Sequence, residues 1–238
     1  EVAIDPGTGL MWQRATPGDR FDWEGAQRYC DCLMLAGFDD WHLPTRMELV
    51  SLVDYRRQEP SIDPEAFPGT PNTWYWSSSP VAGESEVAWY LSFMDGNTHE
   101  AARDVTYAVR CVRGGVPEHA PYQVSSGIVT DLNTHLTWQQ MLDGTVRTWE
   151  QANAYCSTLP LAGGGWRLPT MSELQSLIDE TVKEPAIDAT AFPGTPAEGF
   201  WAGTPLAGMP PYRWFVSFDR GIAYNAVPEH LYNVRCVR

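Results

Sequence analysis

Apolar residues recur with helical spacing in two places within the first half of the chain. Positions 23, 26, 29, 30 and 33 form one face, which predicts a helix over residues 23–35. Gly37 follows, where a helix-terminating glycine belongs. Met47, Leu49, Val50, Leu52 and Val53 mark a second helix. Its start is written in Thr45-Arg46-Met47-Glu48: Thr-x-x-Glu ahead of an apolar run is a capping box. A long Pro- and Gly-rich loop over about 56–73 comes next. Strand patterns are expected at 9–13, 75–79, 88–94 and 107–113, with a hairpin turn around Asp95-Gly96. Strand, two helices, long loop and several strands make an α+β domain with segregated helices.

The same series then occurs again. Trp12-Gln13 recurs as Trp138-Gln139, 126 residues on, and Tyr29-Cys30 recurs as Tyr155-Cys156. After one extra residue in the Phe38-Asp39-Asp40 loop the offset becomes 125. With that offset Trp41-His42-Leu43-Pro44-Thr45 matches Trp166-Arg167-Leu168-Pro169-Thr170. Tyr75-Trp76 matches Phe200-Trp201, and Val109-Arg110-Cys111-Val112-Arg113 matches Val234-Arg235-Cys236-Val237-Arg238. A repeat this long is a domain and not a solenoid unit. The expected organisation is a first domain over 1–113, a short linker over 114–122 and a second domain over 123–238.

Four of the five cysteines fall at repeated positions, Cys30 with Cys111 and Cys156 with Cys236. One bridge per domain is the simplest pairing, and it points to an oxidising compartment. Four buried free thiols are the alternative. Cys32 has no counterpart, since Thr158 takes its place. It is read as a small core residue, with a free thiol or an intermolecular link as alternatives.

Charge narrows the partners. The chain carries a formal net charge of -14, and residues 1–113 alone hold 18 acidic against 9 basic side chains. Nucleic acid and anionic membrane would be repelled. No apolar run is long enough to span a bilayer, so the chain is not membrane-embedded. A chain that begins at Glu1 and not Met is expected to be a processed one, with a removed secretory signal left open.

Taken in order, Asp5-x-x-Thr8-Gly9-Leu10-Met11-Trp12, Tyr29-Cys30, Trp41-x-Leu43-Pro44-Thr45-x-x-Glu48-Leu49, Tyr75-Trp76-Ser77-Ser78 and the closing Val-Arg-Cys-Val-Arg resemble one bacterial family. It is typified by the C-terminal domain of the Legionella collagen-like adhesin. Both halves match almost end to end. The resemblance implies tandem C-type lectin-like domains, each with two helices and a small, mostly antiparallel twisted sheet. That fold is shared with formylglycine-generating enzymes. The resemblance also implies a secreted, periplasmic or cell-surface location and, in the type member, adhesion to sulfated glycosaminoglycans. Two departures stand out. The usual Arg before Leu-Pro-Thr is present as Arg167 but is His42 in the first copy, which weakens an ion pair there. An acidic surface is also wrong for a sulfated polysaccharide, so the ligand does not carry over with the fold.

Residues with catalytic spacing are not found. The five histidines, at 42, 99, 119, 135 and 230, are scattered, and the enzyme branch of the fold needs reactive cysteines that the bridges consume. The chain is expected not to be an enzyme, to hold no zinc and to have no cofactor. A structural calcium ion stays open on Asp39, Asp40, Asp63, Glu65, Glu84, Glu86, Asp95 or Asp188, against the simpler reading of a solvated acidic surface. The Trp residues at 12, 23, 41, 76 and 89 recur in both copies and are assigned to the core.

Binding is therefore sought where the copies differ, at 81–87 against 206–212 and at 97–106 against 222–231, read as a variable loop surface. Asn97, His99, Arg103, Tyr212, Arg213, Tyr224, Asn225 and His230 are the candidate contacts, residue types that suit adaptable hydrogen bonding and stacking. The expected function is a binding or adhesion module for a glycan or a surface protein. The alternatives are an oligomerising domain of an envelope or surface assembly and, behind it, an enzyme of the formylglycine-generating type. The oligomeric state is left open.

Overall fold

Both Trp-x-Leu-Pro-Thr-x-x-Glu stretches open a helix. In the computed structural model, which describes residues 1–115 and 122–238, the Thr45 hydroxyl accepts from the Glu48 N–H at 3.1 Å. Glu48 Oε2 accepts from the Thr45 N–H at 2.8 Å. Thr170 and Glu173 repeat this at 3.3 and 2.7 Å. Two orphan donors of each helix are thereby satisfied.

Contacts divide the chain into two units, Glu1–Pro117 and Glu118–Arg238. Most of the expected linker, residues 116–121, lies outside the described residues. Its last residue, Tyr122, opens a strand instead.

In the first unit the elements are β1 (Val2–Ile4), β2 (Met11–Gln13), α1 (Trp23–Asp31), α2 (Arg46–Ser51), β3 (Trp74–Val81), β4 (Glu84–Ser92), β5 (Thr98–Ala102) and β6 (Val112–Arg113). They form two small antiparallel sheets, in the orders β1-β2-β6 and β3-β4-β5. The second unit has β7 (Tyr122–Ser125), β8 (Ile128–Asp131), β9 (Thr137–Gln139), α3 (Trp149–Thr158), α4 (Met171–Gln175), β10 (Gly199–Pro205), β11 (Arg213–Ser217) and β12 (Ile222–Ala226). Its sheets run β7-β8-β9 and β10-β11-β12. Each unit is thus α+β with two helices, but with two three-stranded sheets where one was expected.

Other boundaries differ for local reasons. α1 ends at Asp31, four residues early, and Leu35 and Phe38 exchange backbone bonds of 3.1 and 3.0 Å across Ala36 and Gly37. Both central residues have positive φ, 54° and 84°. Gly37 therefore serves a tight two-residue turn and not a helix terminus. The strand expected over 107–113 shrinks to β6. Before it the chain makes isolated bridges, Phe21 with Tyr107 and, in parallel, Tyr75 with Ala108. The Asp95-Gly96 hairpin joins β4 to β5 as expected.

Both bridges are present, Cys30–Cys111 with Cα atoms 5.4 Å apart and Cys156–Cys236 at 5.5 Å. Each ties the first helix of its unit to the closing segment. Cys32 is free and exposed, which corrects its reading as a core residue. The repeated tryptophans do line the core, and most are also pinned by their indole N–H. Trp23, Trp41 and Trp76 donate to the carbonyls of Ser77, Leu35 and Phe21. Trp149, Trp166 and Trp201 donate to those of Ala202, Leu161 and Arg147.

The closing Val-Arg-Cys-Val-Arg has a clear physical role. Arg110 is fully buried and is held by carbonyls and hydroxyls. It donates to the carbonyls of Gln13 and Arg14 and to the hydroxyls of Thr16 and Thr70, at 2.8–3.0 Å. Its guanidinium lies over the Phe67 ring at 4.5 Å. Arg235 repeats this with the carbonyls of Gln139 and Gln140, the Thr195 hydroxyl and the Phe192 ring. Burial pushes its pKa down to about 9, so it keeps its charge at neutral pH. A buried cation clamped to backbone oxygens fixes the first and last segments of each unit together.

Candidate functional site

The sheets β3-β4-β5 and β10-β11-β12 carry the differences between the copies. The stretches 97–106 and 222–231, expected as loops, are half edge strand, β5 and β12. A strand displays alternate side chains on one face. The register therefore sets Trp76, Tyr90 and His99 in one row across the first sheet. Trp201, Phe215 and Tyr224 form the same row across the second.

In the first unit the row continues into an aromatic cluster. Tyr107 packs 4.7 Å from Trp76 and 4.8 Å from Tyr90, centroid to centroid. His99 stands 5.9 Å from Tyr90. Trp74, two residues before Trp76 and so on the same face, meets Tyr107 at 5.5 Å and Tyr90 at 6.3 Å and is 44 % exposed. Burial raises the pKa of both Tyr90 and Tyr107, so both phenols stay protonated at neutral pH. In the second unit Gly199 stands where Trp74 does. Phe215 and Tyr232 close into a 4.2 Å stack, and Tyr224 lies on Phe215 at 5.6 Å. Tyr224 is 40 % exposed.

The eight expected contacts are only partly brought together. His99 joins the Trp74 cluster. Asn97 instead turns back into the hairpin, donating to Asp95 at 2.8 Å. Arg103 lies past the far end of β5, with its guanidinium 4.0 Å over the Trp23 ring. In the second unit Tyr224 and Arg213 share a face, and Arg213 lies 4.5 Å over the Trp149 ring. Tyr212, half-buried, offers its carbonyl to Arg213 at 3.2 Å. Asn225 is opposite Trp214 and so faces away from Tyr224. His230 is exposed, 6.2 Å from Tyr232.

Trp74 itself does not emerge from the search for unmatched loops. Its signal is a mismatch directly beside a matched motif, Trp74 against Gly199 just ahead of Tyr75-Trp76 and Phe200-Trp201.

A cleft of about 550 Å³ is lined by Asp22, Glu24, Ser85, Glu86, Ala102, Arg103 and Asp104. Several of its carboxylates already have local roles. Asp22 caps α1 by accepting from Gly25, and Glu24 pairs with Arg28 at 3.6 Å. Among the described residues, no three His, Cys, Asp or Glu side chains converge as metal ligands would. Asp40, one of the calcium candidates, is instead gripped by Arg113 at 2.7 and 3.0 Å.

The helix entries differ as expected. Arg167 binds Glu173 through both guanidinium nitrogens at 2.7 Å, whereas His42 Nε2 stands 3.8 Å from Glu48 Oε2. Among the described residues no helix is long and apolar enough to cross a membrane. The two disulfides fit an extracytoplasmic compartment.

No curated protein matches the chain. The Lcl C-terminal domain family matches residues 1–113 and 127–238, one segment in each half of the repeat. Nearly the whole chain is covered, with the Thr45 and Thr170 capping boxes and both bridges inside the matched segments, and the chain belongs to the Lcl C-terminal domain family as two tandem copies.

Proposed function

We propose that the chain is a secreted or surface-displayed binding and adhesion module, not an enzyme, that recognises a glycan or a protein through the outer face of its hairpin sheets. The observation that carries this is Trp74. It is 44 % exposed, yet the second copy builds the same sheet with a glycine in its place. A large ring that the fold does not require, left in solvent within an aromatic cluster of Tyr90, Tyr107 and His99, supports a binding role for this face. Family membership supports adhesion. The hairpins that follow a long irregular segment, and the bridge from first helix to closing segment, support a C-type lectin-like arrangement. Four of the five cysteines are in bridges, so chemistry needing two thiols finds only Cys32.

The test is binding of the whole chain to arrays of glycans and of surface proteins, with and without calcium. Capture on neither array would sink the reading. A second reading, an oligomerising domain, is favoured by exposed Cys32 close to Met34, which is 72 % exposed. Light scattering with and without reductant separates the two, since a thiol-linked assembly would fall to monomer on reduction.

A further inference from the structure

We propose that Trp74 is the floor of a subsite for an uncharged sugar ring, present in the first unit and closed in the second. The inference rests on the binding reading above and assigns its ligand class and its location.

A pyranose ring has a C–H face that packs on an aromatic ring and a rim of hydroxyls that needs donors and acceptors. The surroundings of Trp74 supply both. Tyr90 meets it edge-on at 68° and Tyr107 tilted at 56°, so neither neighbour stacks over the indole. His99 lies in the next position across the sheet from Tyr90. One half-exposed ring braced by two phenols, with an imidazole beside Tyr90 across the sheet, matches a single sugar.

Charge selects the kind of sugar. Residues 1–113 carry twice as many acidic as basic side chains. The arginines flanking the sheet are engaged elsewhere. Arg103 covers Trp23, and Arg20 donates to Thr73 Oγ1 at 2.9 Å and acts on Tyr75, whose ring is on the opposite face. A sulfated or uronate-rich chain would be repelled by this excess of acidic charge, so the occupant is a neutral hexose.

The second unit cannot take the same ligand in the same way. A Cβ at Gly199 would come within 2.7 Å of Tyr232 Cδ1 and 3.0 Å of Phe215 Cδ2. The space of the indole is filled by the unit's own stacked rings. Tyr224 is exposed from the opposite edge strand, where it lies on Phe215 and has no ring in the Trp74 position beside it.

The experiment is isothermal titration of the 238-residue chain with neutral hexaoses of glucose, galactose and mannose and with a heparin-derived hexasaccharide. The expected result is one neutral hexaose bound per chain, with Trp74→Ala weakening it by about tenfold or more. Trp74→Phe should retain most of the affinity and Tyr224→Ala all of it, with thermal melts confirming that each variant is folded. Two bound molecules per chain, loss on Tyr224→Ala but not on Trp74→Ala, tighter binding of the heparin fragment, or no heat with any neutral hexaose would each overturn the proposal. Capture of a surface protein in that last case would leave the binding module standing and remove only its sugar.

Discussion

The two helix entries share one backbone and differ in one charge. Thr45 and Thr170 cap their helices with the same reciprocal bonds, and the loop before each is tied to the closing segment by the same bridge, His42 with Val112 and Arg167 with Val237. Across that frame the second unit sets an arginine in two short bonds to Glu173, and the first unit sets a histidine at 3.8 Å from Glu48. The cap and the backbone bridge are therefore what the entry requires, and the ion pair is adjustable. The tryptophans that open α1 and α3 teach the same lesson. Each lies under a guanidinium, but Arg103 arrives from beyond β5 and Arg213 from the start of β11. What recurs is a cation on the ring; the position that supplies it does not.

The comparison is broken most severely at the bridges. Replacing Cys30 and Cys111 by serine removes a cross-link between residues 81 apart and should destabilise the first unit by about 4 kcal/mol. Calorimetry should show its transition falling while that of the second unit stays in place.

The buried arginines come next. Arg235→Met leaves the carbonyls of Gln139 and Gln140 and the Thr195 hydroxyl without their donor, and the expected loss is about 3 kcal/mol by denaturant titration. Arg110→Met should lose more, because it also gives up the bond to Thr16, which keeps only its contact with the Tyr75 hydroxyl; the counterpart of Thr16 in the second unit is Leu142.

Gly199→Ala is a smaller and more pointed change. The added carbon must push apart the Phe215–Tyr232 stack and should lower the second unit's stability by about 2 kcal/mol. Trp74→Ala at the matching place should move the first unit's melting transition less, since much of that ring is already in water.

The smallest effect sharpens the comparison through pH. The Glu48 carboxylate 3.8 Å away raises the His42 pKa above its ordinary 6.5, against the opposing effect of burial. A histidine raised on folding stabilises the fold fully below the unfolded value, and the contribution is lost as pH climbs through the higher folded value. With the His42 side chain 41 % exposed, screening keeps the contribution to about 0.5 kcal/mol or less. His42→Arg should remove this loss between neutral and mildly alkaline pH in melts of the first unit. Glu173 behaves oppositely. Burial pushes its carboxyl up, but Arg167 and Thr170 more than offset this and leave it below 4.5. Its contribution is present at neutral and alkaline pH and is lost on acidification.

Much of this architecture is legible in the sequence because it is written in local rules and then written twice. The capping boxes, the bridges, the Asp95-Gly96 hairpin and the core tryptophans all come from spacing checked against its repeat. The buried cations do not. Arg46, Arg110 and Arg235 are each at most 1 % exposed, and an arginine reads as surface until its acceptors, most of them backbone carbonyls distant in sequence, are in place. Arg46 also lies 4.0 Å over Trp89, where the second copy has Met171, so even the repeat gives no warning. The edge strands β5 and β12 read as loops because one side of each is solvated and their residues are mixed. Of the candidate contacts, those that reach the aromatic rows, His99, Tyr224 and Arg213, do so through strand alternation, which a loop reading hides.

The bridge between α1 and the closing segment also sets how the first unit would respond to tension. Its first and last strands flank β2 in one sheet, with Met11 of β2 opposite Arg113, so a pull on the two ends loads that sheet first. Once it parts, the covalent link at Cys30 and Cys111 carries the load. Only the residues outside the closed loop can then pay out, on the order of 110 Å of chain and not the roughly 390 Å of a fully extended unit. The hairpin sheet and the exposed ring of Trp74 lie inside the loop and feel no direct force. An anchor built this way would yield in length under load while its contact face kept its shape.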